Sequence, residues 1–181
     1  VLKVAVNQQN LMTCGPRKAL GQGITSLSVA PWGDPVVGSG CGQVAVLDPN
    51  FKILAQATLN GMVTSVSMVP SSNNEIICGT SESDIISINT DNFKPSVISN
   101  GHSSAINDLT FPPESSELFL TSALGGFHVW NSRKYSELLR VHIPRTECYC
   151  LAVPADGKVI VTGWSDGRIK GFSPQFGKEL W

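Results

Sequence analysis

Charge is scarce in this 181-residue chain: 15% of its residues are charged, and 13 basic against 14 acidic side chains leave a net charge of −1. That balance lacks the basic footprint of a polyanion binder, so no nucleic-acid partner is expected. Long apolar runs are missing as well. No stretch approaches the roughly 18 residues of a membrane-spanning helix. Val1-Leu2-Lys3-Val4 has neither the charged start nor the apolar core of a secretion signal. No membrane partner is expected, and the setting reads as cytoplasmic. The chain begins with Val1 and stops at Trp181 inside an apolar segment, which reads as a piece of a longer protein.

Histidine is rare too, with only His102, His128 and His142. The repeat register set out below puts them in a loop, in mid-strand and at the end of an outer strand, so they are not expected to converge on an active site. The five cysteines are an odd number: Cys14, Cys41, Cys78, Cys148 and Cys150. Most sit in apolar strand-like segments and read as buried, reduced thiols, not as a disulfide framework. Cys148 and Cys150 with His142 leave a tetrahedral metal site one ligand short. No catalytic residue, metal or cofactor is therefore expected. Helical periodicity is absent throughout. What the chain does have is 41% hydrophobic residues, enough for a packed core and too many for a disordered segment.

Comparing the chain with itself reveals a period of about 40 residues. Gly23-Ile24-Thr25-Ser26-Leu27-Ser28-Val29 aligns with Met62-Val63-Thr64-Ser65-Val66-Ser67-Met68, then with segments starting at Ala105 and Glu147, and each alternates as a strand does. A second strand rich in β-formers follows in every unit, at Pro35–Ser39, Glu75–Thr80, Leu118–Ala123 and Lys158–Gly163. Third strands end in register at Leu47, Ile88, Trp130 and Phe172, each followed by a turn-forming residue: Asp48, Asn89, Asn131 and Ser173. Shorter and more polar fourth strands lie at 52–57, 95–98, 137–142 and 177–181, and Pro95 suits an outer edge. Gly38-Ser39-Gly40-Cys41-Gly42 opens a strand and not a helix, so it reads as a tight turn and not as a phosphate loop. Asp166-Gly167 is the same turn in its commonest chemistry.

Four strands per unit and no helix predict an all-β architecture of β-propeller blades. About four complete blades are expected, spanning 21–60, 61–102, 103–144 and 145–181, with 1–20 supplying the last strands of a preceding blade. In that reading Val1–Val6 and Asn10-Leu11-Met12 are those two strands. First strands are expected near 23–29, 62–69, 105–111 and 148–153, and an isolated chain of this length is expected to expose bare apolar blade faces.

These units resemble the WD40 family. The third is the nearest match, with Gly101-His102 before its first strand, Ser122 in its second and Trp130-Asn131 closing its third. In the family a His, a Ser or Thr, a turn Asp and the Trp hydrogen-bond in sequence. Here Leu124 stands at the Asp slot of the third unit, while the fourth has Thr162 and Asp166 but Phe172 in place of Trp. A closer resemblance, to WD-repeat proteins of the ciliary axoneme, rests on several further stretches. They are Gln22–Leu27 with Val37–Gly40, Gly79–Ser83, Glu117-Leu118-Phe119 with Val129-Trp130, and Asp156-Gly157-Lys158 with Trp164–Ile169.

That resemblance implies a non-enzymatic structural protein of motile cilia and flagella. It would sit in the B-tubule lumen of doublet microtubules, with tubulin and neighbouring microtubule inner proteins as partners. The alternative is a general WD40 scaffold for a soluble complex or a short peptide. Arg133, Lys134 and Arg140, with Arg145, Lys158, Arg168 and Lys170, form two loose basic groups. They read as solvated surface, or as residues facing an acidic partner. Trp32, Trp164 and Trp181 are further contact candidates, with Trp164 expected to pack near its turn.

Overall fold

The computed structural model describes residues 2–6, 12–17, 21–70, 74–99, 101–113, 115 and 117–181, the first two segments by their backbone alone. Every regular element among them is a strand. β1 (Leu2–Val6) and β2 (Met12–Arg17) form an antiparallel pair. Of the strand expected at Asn10-Leu11-Met12, only Met12 is described, as the first residue of β2; Asn10 and Leu11 lie outside the described residues.

Two four-stranded antiparallel sheets follow. The first is β3 (Ile24–Val29), β4 (Pro35–Ser39), β5 (Gln43–Leu47) and β6 (Ile53–Thr58). The second is β7 (Val63–Met68), β8 (Glu75–Thr80), β9 (Ile85–Asn89) and β10 (Lys94–Ser99). In each the strands pair in chain order, as successive hairpins require.

The remainder is one five-stranded run: β11 (Ile106–Thr110), β12 (Leu118–Asn131), β13 (Glu137–Ala152), β14 (Ile160–Trp164) and β15 (Ile169–Phe172). β12 is too long for one straight strand, because Phe119 and Trp130 would then stand about 36 Å apart. Their rings instead stack with centroids 6.1 Å apart, and the Ser132 amide donates to the Glu117 carbonyl at 2.9 Å. β12 thus folds back at Leu124-Gly125 and holds the second and third strands of the third unit. β13 is likewise shared: 137–142 and Glu147 pair with β12, whereas 148–152 pairs with β14 and opens the fourth unit. The fourth strand expected at 177–181 is a looser extension, held by a Phe172–Glu179 bridge and by hydrogen bonds between Gly171 and both Leu180 and Trp181.

One irregularity recurs in every unit. The innermost strand bulges at its second residue: Thr25, Thr64, Asn107 and Tyr149. A bulge at the same register position in four units is a built feature, and it turns side chains toward the neighbouring sheet. Thr25 Oγ1 donates to the Val63 carbonyl, and Asn107 Nδ2 to the Cys148 carbonyl at 2.9 Å.

Successive inner strands pack on one another, β3 on β7 and β7 on β11, around a depression of 340 Å³ at their carboxyl ends. Between the sheets lie separate apolar cores. Val44 and Val46 meet Val63 and Ile76, Ile77 and Ile85 meet Ile106 and Phe119, and Phe127 and Val129 meet Leu151 and Ile160. Close approach is what the small residues near the ends of the second strands permit. A Cβ on Gly79 would stand 2.6 Å from Ile106 Cγ2 in the next sheet, and one on Gly38 2.4 Å from Val63 Cγ1. Among the described residues, packing stops at the two outer faces of the array. Leu27 is 59% exposed while its counterparts Val66, Leu109 and Leu151 are buried, and Ile169 is 68% exposed while Val44, Ile85 and Phe127 are buried.

Candidate functional site

A cluster of polar and titratable side chains lies in the third unit. Trp130 closes the third strand, is buried on Phe119, and donates its Nε1 proton to Thr121 Oγ1 at 2.8 Å. His102 Nε2 meets the same hydroxyl at 2.6 Å. The hydroxyl in this network is therefore that of Thr121 and not that of Ser122. Alternate strand residues face opposite sides of a sheet, so Thr121 shares a face with Trp130. Ser122 turns the other way, beside the Cys148 thiol of the following unit. Ser122 occupies the register position of Gly38, Gly79 and Gly163, and Cys148 that of Val63 and Ile106. A slightly larger residue on one sheet thus meets a smaller one on the next.

The three histidines converge, contrary to the register expectation. His128 lies on the Thr121 face, and the segment before β11 lays the His102 ring on it, with centroids 4.0 Å apart and planes 23° from parallel. His142 and Arg140 complete one wall of a 170 Å³ cleft that both rings line. Its other walls come from the turn. The other three units use three-residue turns between second and third strands, whereas β12 turns on Leu124-Gly125 alone and has no carboxylate there. Gly126 follows at φ 149°, and a Cβ there would stand 1.9 Å from the Val141 carbonyl oxygen.

Electrostatics keep both stacked rings neutral. Burial, then the charges of His128 and Arg140, lower the His102 pKa to about 3. Burial likewise lowers that of His128 to about 4, with Arg140 and His142 adding to the effect and Glu137 opposing it. Glu137 stands 3.1 Å from His128 Nδ1 without hydrogen-bond alignment, and it is held ionised chiefly by its two hydrogen bonds from Arg140, at 3.0 and 2.7 Å. Ser103 supplies a hydroxyl to the cleft lining, no cysteine or carboxylate does, and no group of three potential metal ligands gathers among the described residues. Cys41, Cys78, Cys148 and Cys150 are free, and burial drives the Cys78 and Cys148 thiols upward, the latter to about 12.

The turn-forming residues act through their side chains. Asp48 Oδ1 accepts from the amides of Asn50 and Lys52, Asn89 from Asp91, Asn131 from Arg133 and Lys134, and Asp166 from Arg168. Leu47, Ile88 and Phe172 are buried, and Gly167 takes φ 80° in its turn. Most of the basic candidates are tied down locally. Arg133 pairs with Glu117, Arg140 with Glu137, Lys158 with Asp156 and Arg168 with Asp166. Lys170 pairs with Glu179 while lying over the Trp164 ring. Among the described residues Lys134 and Arg145 form no ion pair. Trp164 is buried with Nε1 on Thr162 Oγ1, while Trp32 and Trp181 are exposed.

A second set of positions recurs in the turns after the third strands. Phe51, Phe93 and Tyr135 all have positive φ, at 62°, 53° and 53°, a region costly for bulky side chains. Each closes the turn after a third strand and packs against a core. The Tyr135 hydroxyl also donates to Glu75 of the preceding sheet. Their spacing of 42 residues was the available signal.

The family profile described as WD domain, G-beta repeat matches residues 134–173, which run from the outer strand of the third unit through the third strand of the fourth. Over nearly its whole length the chain is also similar to cilia- and flagella-associated protein 52. It is 34% identical to that of Chlamydomonas reinhardtii over 98% of the chain, and 32% and 31% identical to those of Mus musculus and Homo sapiens over 100%. The chain spans 29% of the length of each of these relatives. Four register-matched units of antiparallel strands, the repeated inner-strand bulge and the match of 134–173 make this a chain of β-propeller blades of the WD40-repeat type.

Proposed function

We propose that the chain is part of a non-enzymatic structural scaffold of the ciliary and flagellar axoneme. Its rigid sheets lie against the luminal wall of the B-tubule and contact tubulin and neighbouring inner proteins. The observation that carries this reading is end-to-end similarity to proteins named for association with cilia and flagella. The geometry agrees in kind, since the stacked histidines and the Cys78 and Cys148 thiols are held neutral within the sheet packing. Lys134 and Arg145, free of ion pairs among the described residues, are the basic residues best placed to meet an acidic tubulin surface. Salt extraction of axonemes tests the proposal. A protein of the luminal wall stays with the doublets through high salt, and its release with the soluble fraction contradicts the reading.

The second reading is a general WD40 scaffold that holds a short peptide. It is favoured by one feature, a 250 Å³ groove between the third and fourth units lined by Pro112, Pro113, Leu118, Val153, Pro154 and Pro174. Elution at moderate salt, together with a soluble complex, supports this alternative.

A further inference from the structure

The turn after each third strand carries one position that recurs every 42 residues: Phe51, Phe93, Tyr135 and Gly177, all at positive φ. In the second and third units the aromatic ring at this position closes the seam with the sheet before. Phe93 packs on the core shared by the first two units, and Tyr135 on the core shared by the second and third. The Tyr135 hydroxyl donates to Glu75, which also accepts from Ser87. The fourth unit has Gly177 instead, at φ 63°, and brings no ring to its seam with the third.

The space such a ring would fill is open. Strand register carries Glu75 onto Leu118 and Ser87 onto Val129, and these two residues line the 250 Å³ groove between the third and fourth units. Gly177 sits beside it: a Cβ there would lie 3.2 Å from Leu139 Cδ1, and Leu139 pairs with Val129. Phe176, the residue before, is 78% exposed, so the unit does not fill the slot from its own turn.

The lining specifies the ring. Leu118 and Val129 offer no acceptor where Glu75 takes the tyrosine proton, so an unsubstituted ring fits and a phenol does not. Pro112, Pro113, Pro154 and Pro174 add rigid walls that carry no backbone N–H. Among the described residues the polar side chains of the lining are Ser115 and Asp156, the latter paired with Lys158 at 3.6 Å. At 250 Å³ the groove falls just under the roughly 300–1,000 Å³ of small-molecule pockets, a size suited to one large side chain.

We infer that this groove is an aromatic slot left vacant by Gly177 and that it takes one phenylalanine side chain of a partner polypeptide. The inference rests on the peptide reading of the same groove and names the residue that anchors the peptide.

Ligand-observed NMR on the intact protein tests it, with N-acetyl-phenylalaninamide as the probe and the tyrosine and leucine amides as comparisons. Resonances of the phenylalanine amide are expected to broaden at millimolar concentration. The tyrosine amide is expected to bind at least about fivefold more weakly, because its hydroxyl is buried without a partner, and the leucine amide more weakly as well. Gly177→Phe returns a ring to the seam at a backbone angle close to that of Phe93, φ 53°, and is expected to weaken the probe at least tenfold. Leu54→Phe, on the outer strand of the first unit, is expected to leave binding within twofold. Leu118→Glu restores the acceptor found in the second unit and is expected to turn the preference toward the tyrosine amide, a readout that stands even if Gly177→Phe does not fold. Absence of broadening by the phenylalanine amide overturns the inference, as does an unchanged preference in Leu118→Glu, unchanged binding by folded Gly177→Phe or an equal loss with Leu54→Phe. Equal binding of the leucine amide, lost with Gly177→Phe, overturns the aromatic slot while leaving the peptide reading in place.

Discussion

At the scale of single residues, the account turns on which side chains share a face. Trp130→Ala removes a buried aromatic from the Phe119 stack and is expected to cost roughly 3–5 kcal/mol in a denaturation measurement. The sharper comparison is between neighbours. Thr121→Val leaves Trp130 Nε1 and His102 Nε2 without their shared partner and should cost about 1–3 kcal/mol. Ser122→Gly restores the residue type found in the other three units and should stay within about 1 kcal/mol, the usual penalty of glycine in a strand. A larger loss from Ser122→Gly than from Thr121→Val would mean that the hydroxyls are assigned to the wrong faces.

The stacked histidines also predict a pH dependence. Their folded pKa values, about 3 and about 4, lie below the unfolded value of about 6.5. The unfolded chain therefore binds more protons between those limits. This contribution to stability is complete above pH 6.5 and is lost progressively as pH falls toward 4 and then 3. Each ring that must stay neutral adds a slope approaching 1.4 kcal/mol per pH unit. Urea titrations from pH 7 to 5 should show His128→Gln less acid-sensitive than the unaltered protein, and parallel curves would contradict the stack. None of this was legible in the sequence. His102 and His128 lie 26 positions apart, and only the path of the 101–105 segment, set by tertiary packing, brings them together.

At the scale of elements, strand register was the most readable feature, because a large apolar residue before a turn former, recurring at separations of 41, 42 and 42 residues, has one simple explanation. Leu47, Ile88, Trp130 and Phe172 do occupy equivalent places. Less readable was the continuity of β12 and β13, since turn chemistry alone does not show that a two-residue turn and a bulged link keep strand pairing across them. Gly126 is the point where this matters most. Gly126→Ala would force a Cβ into the Val141 carbonyl at a backbone angle closed to alanine, so a loss at the upper end of the roughly 1–3 kcal/mol range, or beyond it, is expected. Gly157→Ala, at φ 62° with open space around it, should cost only about 1 kcal/mol. Thermal melts of the two variants give the comparison, and equal shifts would show that the β12 hairpin is not held as described.

At the scale of the whole molecule, stability resides between sheets more than within them, as in other repeat architectures. Each interior interface buries large apolar residues, while Leu27 and Val29 at one face and Ile169 at the other stand open, along with Trp181 at the last strand. Expressed alone, the 181-residue chain should bind a hydrophobic dye and melt without a sharp transition. Within a protein of its relatives' length, a cysteine at Leu27 or Ile169 should be protected from thiol reagents. A soluble, cooperatively melting monomer would contradict this. The uncovered faces follow from the repeat pattern, but the place of the assembly in the cell does not, because exposed side chains are under little packing constraint. That place rests on similarity along the chain. The most direct measurement is therefore a cryo-EM map of axonemal doublets from the source organism. The account predicts density for four consecutive antiparallel sheets, with the side chains of Trp130, Phe119 and the His102–His128 stack in register, seated on the luminal wall of the B-tubule. Doublets that retain their other inner proteins but show no such density, with the protein recovered only in the soluble fraction, would contradict it.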